Sequence, residues 1–113
     1  MRLINRTRGT VVALRLRLAE TFFSRLRGLL GTSLLPEEEA LLIRPCNNIH
    51  MFGMRYAIDV AFASSTGQVL KTVRSLEPGR MAYCKGAAYV VEMPCDTLAR
   101  TATRVSDILA IVE

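Results

Sequence analysis

Tryptophan is absent from this 113-residue chain, histidine occurs once, cysteine three times, and aromatic residues amount to 6%. Without large rings, a core has to be built from Leu, Ile, Val and Ala. Half of the residues are hydrophobic, enough to do so with no disulfide or metal staple. The aromatic platform on which single-stranded nucleic acid stacks is missing too. No apolar stretch approaches the ~18 residues of a membrane span. The basic N-terminal segment is interrupted by Arg15 and Arg17, so it has no unbroken signal-peptide h-region, and no small-residue cleavage site follows. An odd, sparse set of cysteines reads as reduced thiols. These absences predict a soluble, unsecreted, cytoplasmic chain that folds as a monomer and as a single domain over residues 1–113.

Acid is scarce at one end only. Residues 1–31 carry seven arginines against the single acid Glu20, whereas the rest of the chain is close to neutral. Arg15, Arg17, Arg25 and Arg27 are therefore candidates for contact with an acidic partner. A solvated outer face explains the same charge, and with no nucleic-acid motif beside it, no nucleic-acid partner is expected.

The stretch "VVALRLRLA" alternates, with Leu14, Leu16 and Leu18 on one face and Arg15 and Arg17 on the other, the period of a half-buried strand. The period then changes. Thr21 can cap a helix in which Phe22, Phe23, Leu26, Leu29 and Leu30 form an apolar stripe, ended by Gly31, with Gly28 inside it packed against a strand. After Pro36 and an acidic turn, Ala40 to Ile43 reads as a strand stopped by Pro45. "AIDVAFA" is the clearest strand, with Ile58, Val60 and Phe62 on one face and Asp59, Ala61 and Ala63 on the other. "SSTG" turns into a hairpin partner, "QVLKTVRSL", and "EPGR" places Pro78 and Gly79 for a type II turn. "AAYVVEM" is a further strand ended by Pro94, "CDTLART" a single helical turn, and "RVSDILAIVE" the last strand. The result is a mostly β chain with one helix (α+β), an antiparallel β-sandwich or barrel of five to seven strands.

In this order, "SRLRGLLG", "LPEEEALLI", "PCNNIHMFGMRYAIDVAF", "VLKTV" and "GAAYVVEMP" together resemble the family called domain of unknown function 192. The likeness is greatest to a bacterial branch with a proline–cysteine step, an isoleucine–histidine pair, and a methionine–arginine pair before isoleucine–aspartate. The resemblance implies a jelly-roll-like sandwich with a helix. It implies no activity, substrate or cofactor. The branch has glycines where this chain has Asp96, Ala102 and Ser106, so any of these that needs a left-handed backbone is strained, Asp96 least.

Residues 45–62 gather the mixed chemistry. Cys46 and His50, with Cys84 and Cys95, are zinc-type donors, but three thiols and one imidazole without a close Cys-x-x-Cys pair make no convincing site, so neither a metal nor a cofactor is expected. Cys46, His50 and Asp59, oriented by Asn47 or Asn48, have the residue types of a nucleophilic site. Asp59, inside an apolar strand, must be solvated or paired. The expectation is that it accepts N–H groups of the 46–55 segment and pins that loop, with Arg55 as a possible partner. Glu92 presents the same choice, and should it share a face with Asp59, two carboxyl groups would meet His50. Met51, Phe52 and Met54 read as packing.

The preferred reading is a non-catalytic binding or accessory module, with a small ligand or a protein partner at a surface made by Cys46, Asn47, His50, Arg55, Asp59 and Glu92. A small enzyme using Cys46, His50 and Asp59 is the alternative. A third is an interaction protein that meets an acidic partner through its arginines.

Overall fold

The chain crosses from one sheet to another within its first nineteen residues, and that crossing sets the architecture. In the computed structural model, which describes Met1–Glu113, β1 (Arg2–Asn5) and β2 (Thr10–Ala13) form a three-stranded antiparallel sheet with the C-terminal β10 (Leu109–Val112), in the order β10-β1-β2. After a bend at Leu14, β3 (Arg15–Ala19) enters a five-stranded sheet with β4 (Glu39–Ile43), β6 (Ile58–Ala63), β7 (Val69–Leu76) and β9 (Tyr89–Met93), in the order β3-β4-β9-β6-β7. Only β3 and β4 pair in parallel. The short β5 (Asn48–His50) and β8 (Met81–Tyr83) make a separate antiparallel pair. Two short helices, α1 (Phe22–Arg27) and α2 (Thr97–Arg100), complete the fold.

The fold is mostly β, as the periodicity predicts, and the sheets stay open rather than closing into a barrel. Ten strands replace the expected five to seven, because β1, β5 and β8 are too short to show a period. The alternation within β6 is as read. Ile58, Val60 and Phe62 join one core cluster, with Ile43, Ile49 and Val90, while Ala61 and Ala63 join the other, with Leu3, Leu42, Met93 and Leu98. Both faces of the five-stranded sheet are thus covered, one by the three-stranded sheet and α2, the other by the β5–β8 pair and the residues after α1. The type II turn is present, with Gly79 at φ 83° and the Arg80 N–H on the Glu77 carbonyl at 3.1 Å.

Three local expectations are corrected. Leu14 is exposed although Leu16 is buried, because the chain changes sheets at that residue and the alternation starts only after it. The helix ends at Arg27, not Gly31. Gly28 takes φ 51°, donates its N–H to the Ser24 carbonyl at 3.0 Å and turns the chain back. At six residues, α1 is too short to bury a stripe. Phe22, Phe23 and Leu26 stay exposed, and Leu29, beyond the helix, is the residue that enters the core. Finally, the last strand spans only Leu109–Val112, since residues 104–107 form a turn closed by Asp107, whose Oδ2 accepts the Arg104 N–H at 2.9 Å.

The N-terminal cap of α1 is as expected. Thr21 Oγ1 accepts the Ser24 N–H at 3.1 Å and Ser24 Oγ accepts the Thr21 N–H at 3.0 Å, a reciprocal capping box. Asp96, Ala102 and Ser106, the three positions that hold glycine in the similar branch, sit at φ 74°, 55° and 82°. The final turn keeps a glycine-type backbone without its glycines.

Candidate functional site

Strand geometry decides which polar groups meet. Asp59 lies opposite Met93 and Glu92 lies opposite Val60, so the two carboxyl groups sit one register step apart and project to opposite faces of the sheet. They do not converge. Asp59, 1% exposed, sits on the α2 side. Its Oδ1 accepts the Ser75 N–H and its Oδ2 the Leu98 N–H, both at 3.0 Å. It pins the end of β7 and the start of α2, not the 46–55 loop, and Arg55 is exposed and forms no ion pair with it.

Glu92 faces the other way. It is 5% exposed, flanked across the strands by Leu41 and Val60, and its Oε1 is buried without a hydrogen-bond partner. Burial pushes its carboxyl up from the ordinary 4.5 to about 7. The oxygen lies at a cleft of about 70 Å³ between α1 with its C-terminal turn and the 46–54 segment. Gly28 forms part of its wall, and a Cβ there would stand 3.6 Å from Glu92 Oε1. Arg25 enters from α1. Its Nη1 donates to the Pro45 carbonyl at 3.2 Å, but its Nε is buried and unpartnered, and no ion pair joins it to Glu92. Two residues that line one small space, Arg25 and Glu92, thus each carry an unsatisfied buried polar atom, where such atoms ordinarily find partners.

Cys46 and His50 also line this cleft. The Cys46 thiol donates to the Asn48 carbonyl at 3.0 Å. Burial pushes it above its ordinary value. The nearby Glu92 carboxyl adds to the push, and the Asn48 contact and the Arg25 charge only partly offset it. The group is thus held as a thiol, unlike an activated nucleophile. His50 is exposed and stacks on Phe52, ring centroids 5.2 Å apart.

Of the six residues grouped as one surface in the sequence, the cleft gathers Cys46, His50 and Glu92, and it joins to them Asn48, Arg25 and Arg27, to which the sequence assigns other roles. Asn47 is turned away toward a separate shallow depression with Pro45 and Ala87, its Oδ1 accepting from Asn48 Nδ2 at 2.8 Å. Arg15 and Arg17 remain on the outer face of β3, Arg15 with Glu39 at 3.7 Å. No three His, Cys, Asp or Glu side chains are grouped to hold a metal ion. Cys46, Cys84 and Cys95 are unpaired. No helix is long and apolar enough to cross a membrane. In the sequence Gly28 gives no sign of being a site residue, and Arg25 reads as a contact for an acidic partner and not as part of this cleft. Their placement with Glu92 depends on packing across more than sixty positions of chain.

Comparison with known proteins gives the same fold and no chemistry. The chain is 40% identical over 101 residues to a UPF0127 protein of the archaeon Thermococcus sibiricus, covering 81% of this chain and 62% of that protein. It therefore spans less than two thirds of the curated relative's length. Two crystal structures superpose with a TM-score of 0.84 over 96% of this chain. One is a protein of unknown function from Novosphingobium aromaticivorans, 20% identical and 82% covered. The other, from Sinorhizobium meliloti, is described as a proposed transcription regulator, 22% identical and 89% covered. At those identities they establish the fold alone. The family model described as DUF192, Uncharacterized ACR, matches residues 3–111, and the chain belongs to that family.

Proposed function

We propose that this protein is a non-catalytic binding module, and that its ligand enters the cleft under α1 and ends against Glu92. One observation carries the reading: the Glu92 Oε1 is buried at the cleft with no partner, a costly arrangement that a ligand group would relieve. The wall residues Leu26, Leu29 and Met54 supply apolar contact beside the polar Arg25, Cys46 and Glu92, a mixed lining suited to a ligand group of a few heavy atoms. An enzyme built on Cys46 has less support, because burial disfavours the thiolate and Asp59 lies on the far side of the sheet. The regulatory role attached to the Sinorhizobium protein is not carried over, since that similarity extends to fold alone.

The test is fragment binding followed by amide NMR. Fragments that bind should shift the signals of Gly28, Cys46, His50 and Glu92 together, and Arg25→Ala should weaken those shifts. The reading fails if no fragment moves these signals, or if a fixed water bridges Arg25 and Glu92 and nothing displaces it.

A further inference from the structure

The cleft's polar wall sets two arginines, Arg25 and Arg27, against one acid. Arg25 Nε is a buried N–H with no acceptor, and Arg27, Asn48 and His50 line the same space. The Cys46 thiol has already spent its hydrogen on Asn48. Glu92 is the single acid among the residues that form the cleft. A cation would meet two arginines there, and a neutral polyol would leave their charge uncompensated. With about 70 Å³ available, the occupant is a group of a few heavy atoms.

Resting on the binding role proposed above, we infer that the cleft takes a small oxyanion, a carboxylate or sulfate-type group held by Arg25 and Arg27, with Glu92 bound as the neutral acid and donating its O–H to the anion. Two negative groups cannot share a buried site of this size, so the proton on Glu92 is what makes the site an anion receptor. The raised carboxyl value of about 7 makes that proton available near neutrality. The groups facing Glu92 are consistent with this account. Arg25 and Arg27 come from α1, Cys46 and His50 from the 46–50 segment, and the cross-strand neighbours Leu41 and Val60 are apolar. Binding above pH 7 then takes up one proton from solvent: the carboxylate of Glu92 gains it, and the anion enters with its charge unchanged.

The experiment titrates the full chain with sodium acetate and with sodium sulfate, which keep their charge between pH 6 and pH 8, against a constant chloride background. Glycerol and glucose serve as neutral probes. Amide signals of Gly28, Cys46, His50 and Glu92 should move saturably with acetate or sulfate, with affinity roughly tenfold lower at pH 8 than at pH 6. Glu92→Gln, which keeps an N–H donor, should bind at pH 8 about as the native chain does at pH 6, and His50→Gln should keep the tenfold fall. Arg25→Gln should lose binding at both. An affinity for anions that does not change with pH, or no response to either anion up to 0.1 M, overturns the inference. If glycerol or glucose moves those signals while the anions do not, the anion assignment falls but the binding role stands. If none of the four probes moves them, the inference falls and the fragment experiment decides the role.

Discussion

Asp59 and Leu98 stand 39 positions apart, yet the Asp59 Oδ2 accepts the Leu98 N–H at 3.0 Å inside the protein. Leu98 is the second residue of α2, whose own cap residue, Asp96, makes no side-chain cap bond. A strand residue thus caps a helix that cannot cap itself, and its other oxygen fixes Ser75, held at φ 50°. Asp59→Ala removes both acceptors and leaves a buried N–H unpaired. It should cost about 3 kcal/mol of stability, measured by denaturant unfolding. Amide shifts should appear around Ser75 and Leu98 and leave residues 46–55 in place. Unchanged unfolding would contradict the capping role.

The left-handed residues of the last turn should be improvable. Ala102 at φ 55° and Ser106 at φ 82° adopt a backbone that disfavours a Cβ, and glycine removes that strain at some cost in chain entropy. Ala102→Gly and Ser106→Gly should each stabilise by roughly 0.5–1 kcal/mol, and the double variant by about the sum. Calorimetric melting temperatures would show it. A fall in both would mean that their side chains contribute contacts outweighing the strain.

Glu92 governs a pH dependence whose sign is fixed. Its folded value of about 7 lies above the ordinary 4.5, so the folded state binds the extra proton between those values. The carboxyl costs nothing below pH 4.5, and stability falls as the pH rises through about 7. Glu92→Gln should match the native protein near pH 4.5 and exceed it at pH 8 by up to about 3 kcal/mol. Urea unfolding at the two pH values measures this, and equal stabilities at pH 8 would show that the carboxylate is satisfied.

Asp107 behaves in the opposite sense. Burial alone would raise it, but hydrogen bonds from Asn5, Arg8 and the Arg104 N–H, with the Arg8 charge, outweigh burial and hold it below the ordinary 3.8. Its contribution is complete above 3.8 and disappears as the pH falls through the lower folded value. Asp107→Asn should therefore be less stable than the native chain at neutral pH, with the gap closing as the pH falls below the ordinary 3.8. Acid titration of both proteins by circular dichroism checks the convergence.

Cys46 should be a slow thiol. With burial pushing it up, its alkylation at pH 7.5 should lag behind that of a small model thiol, and behind that of the exposed Cys95. Mass spectrometry of partially modified protein ranks the sites. Fast modification of Cys46 would restore the nucleophile reading.

Periodicity carried most of the fold. The two-residue alternation in β6 and the β6–β7 hairpin, the Thr21 cap and the turn at Pro78–Gly79 are local properties, set by neighbours along the chain. That is why residue order alone reveals them. Part of the candidate cleft was legible in the same way: the mixed chemistry of residues 45–62 drew notice to Cys46 and His50, and an acid in an apolar strand drew notice to Glu92.

What residue order could not decide was which faces meet. One step of register between β6 and β9 sends Asp59 to one core and Glu92 to the other, and that register exists only once the strands pair. The same holds for Gly28, which ends α1 and stands against the orphaned Glu92 Oε1, at the cleft that Arg25 also lines. Local sequence sets backbone preference through the torsions of adjacent residues. The environment of a buried carboxyl group is set by side chains far along the chain, and only the folded packing selects them.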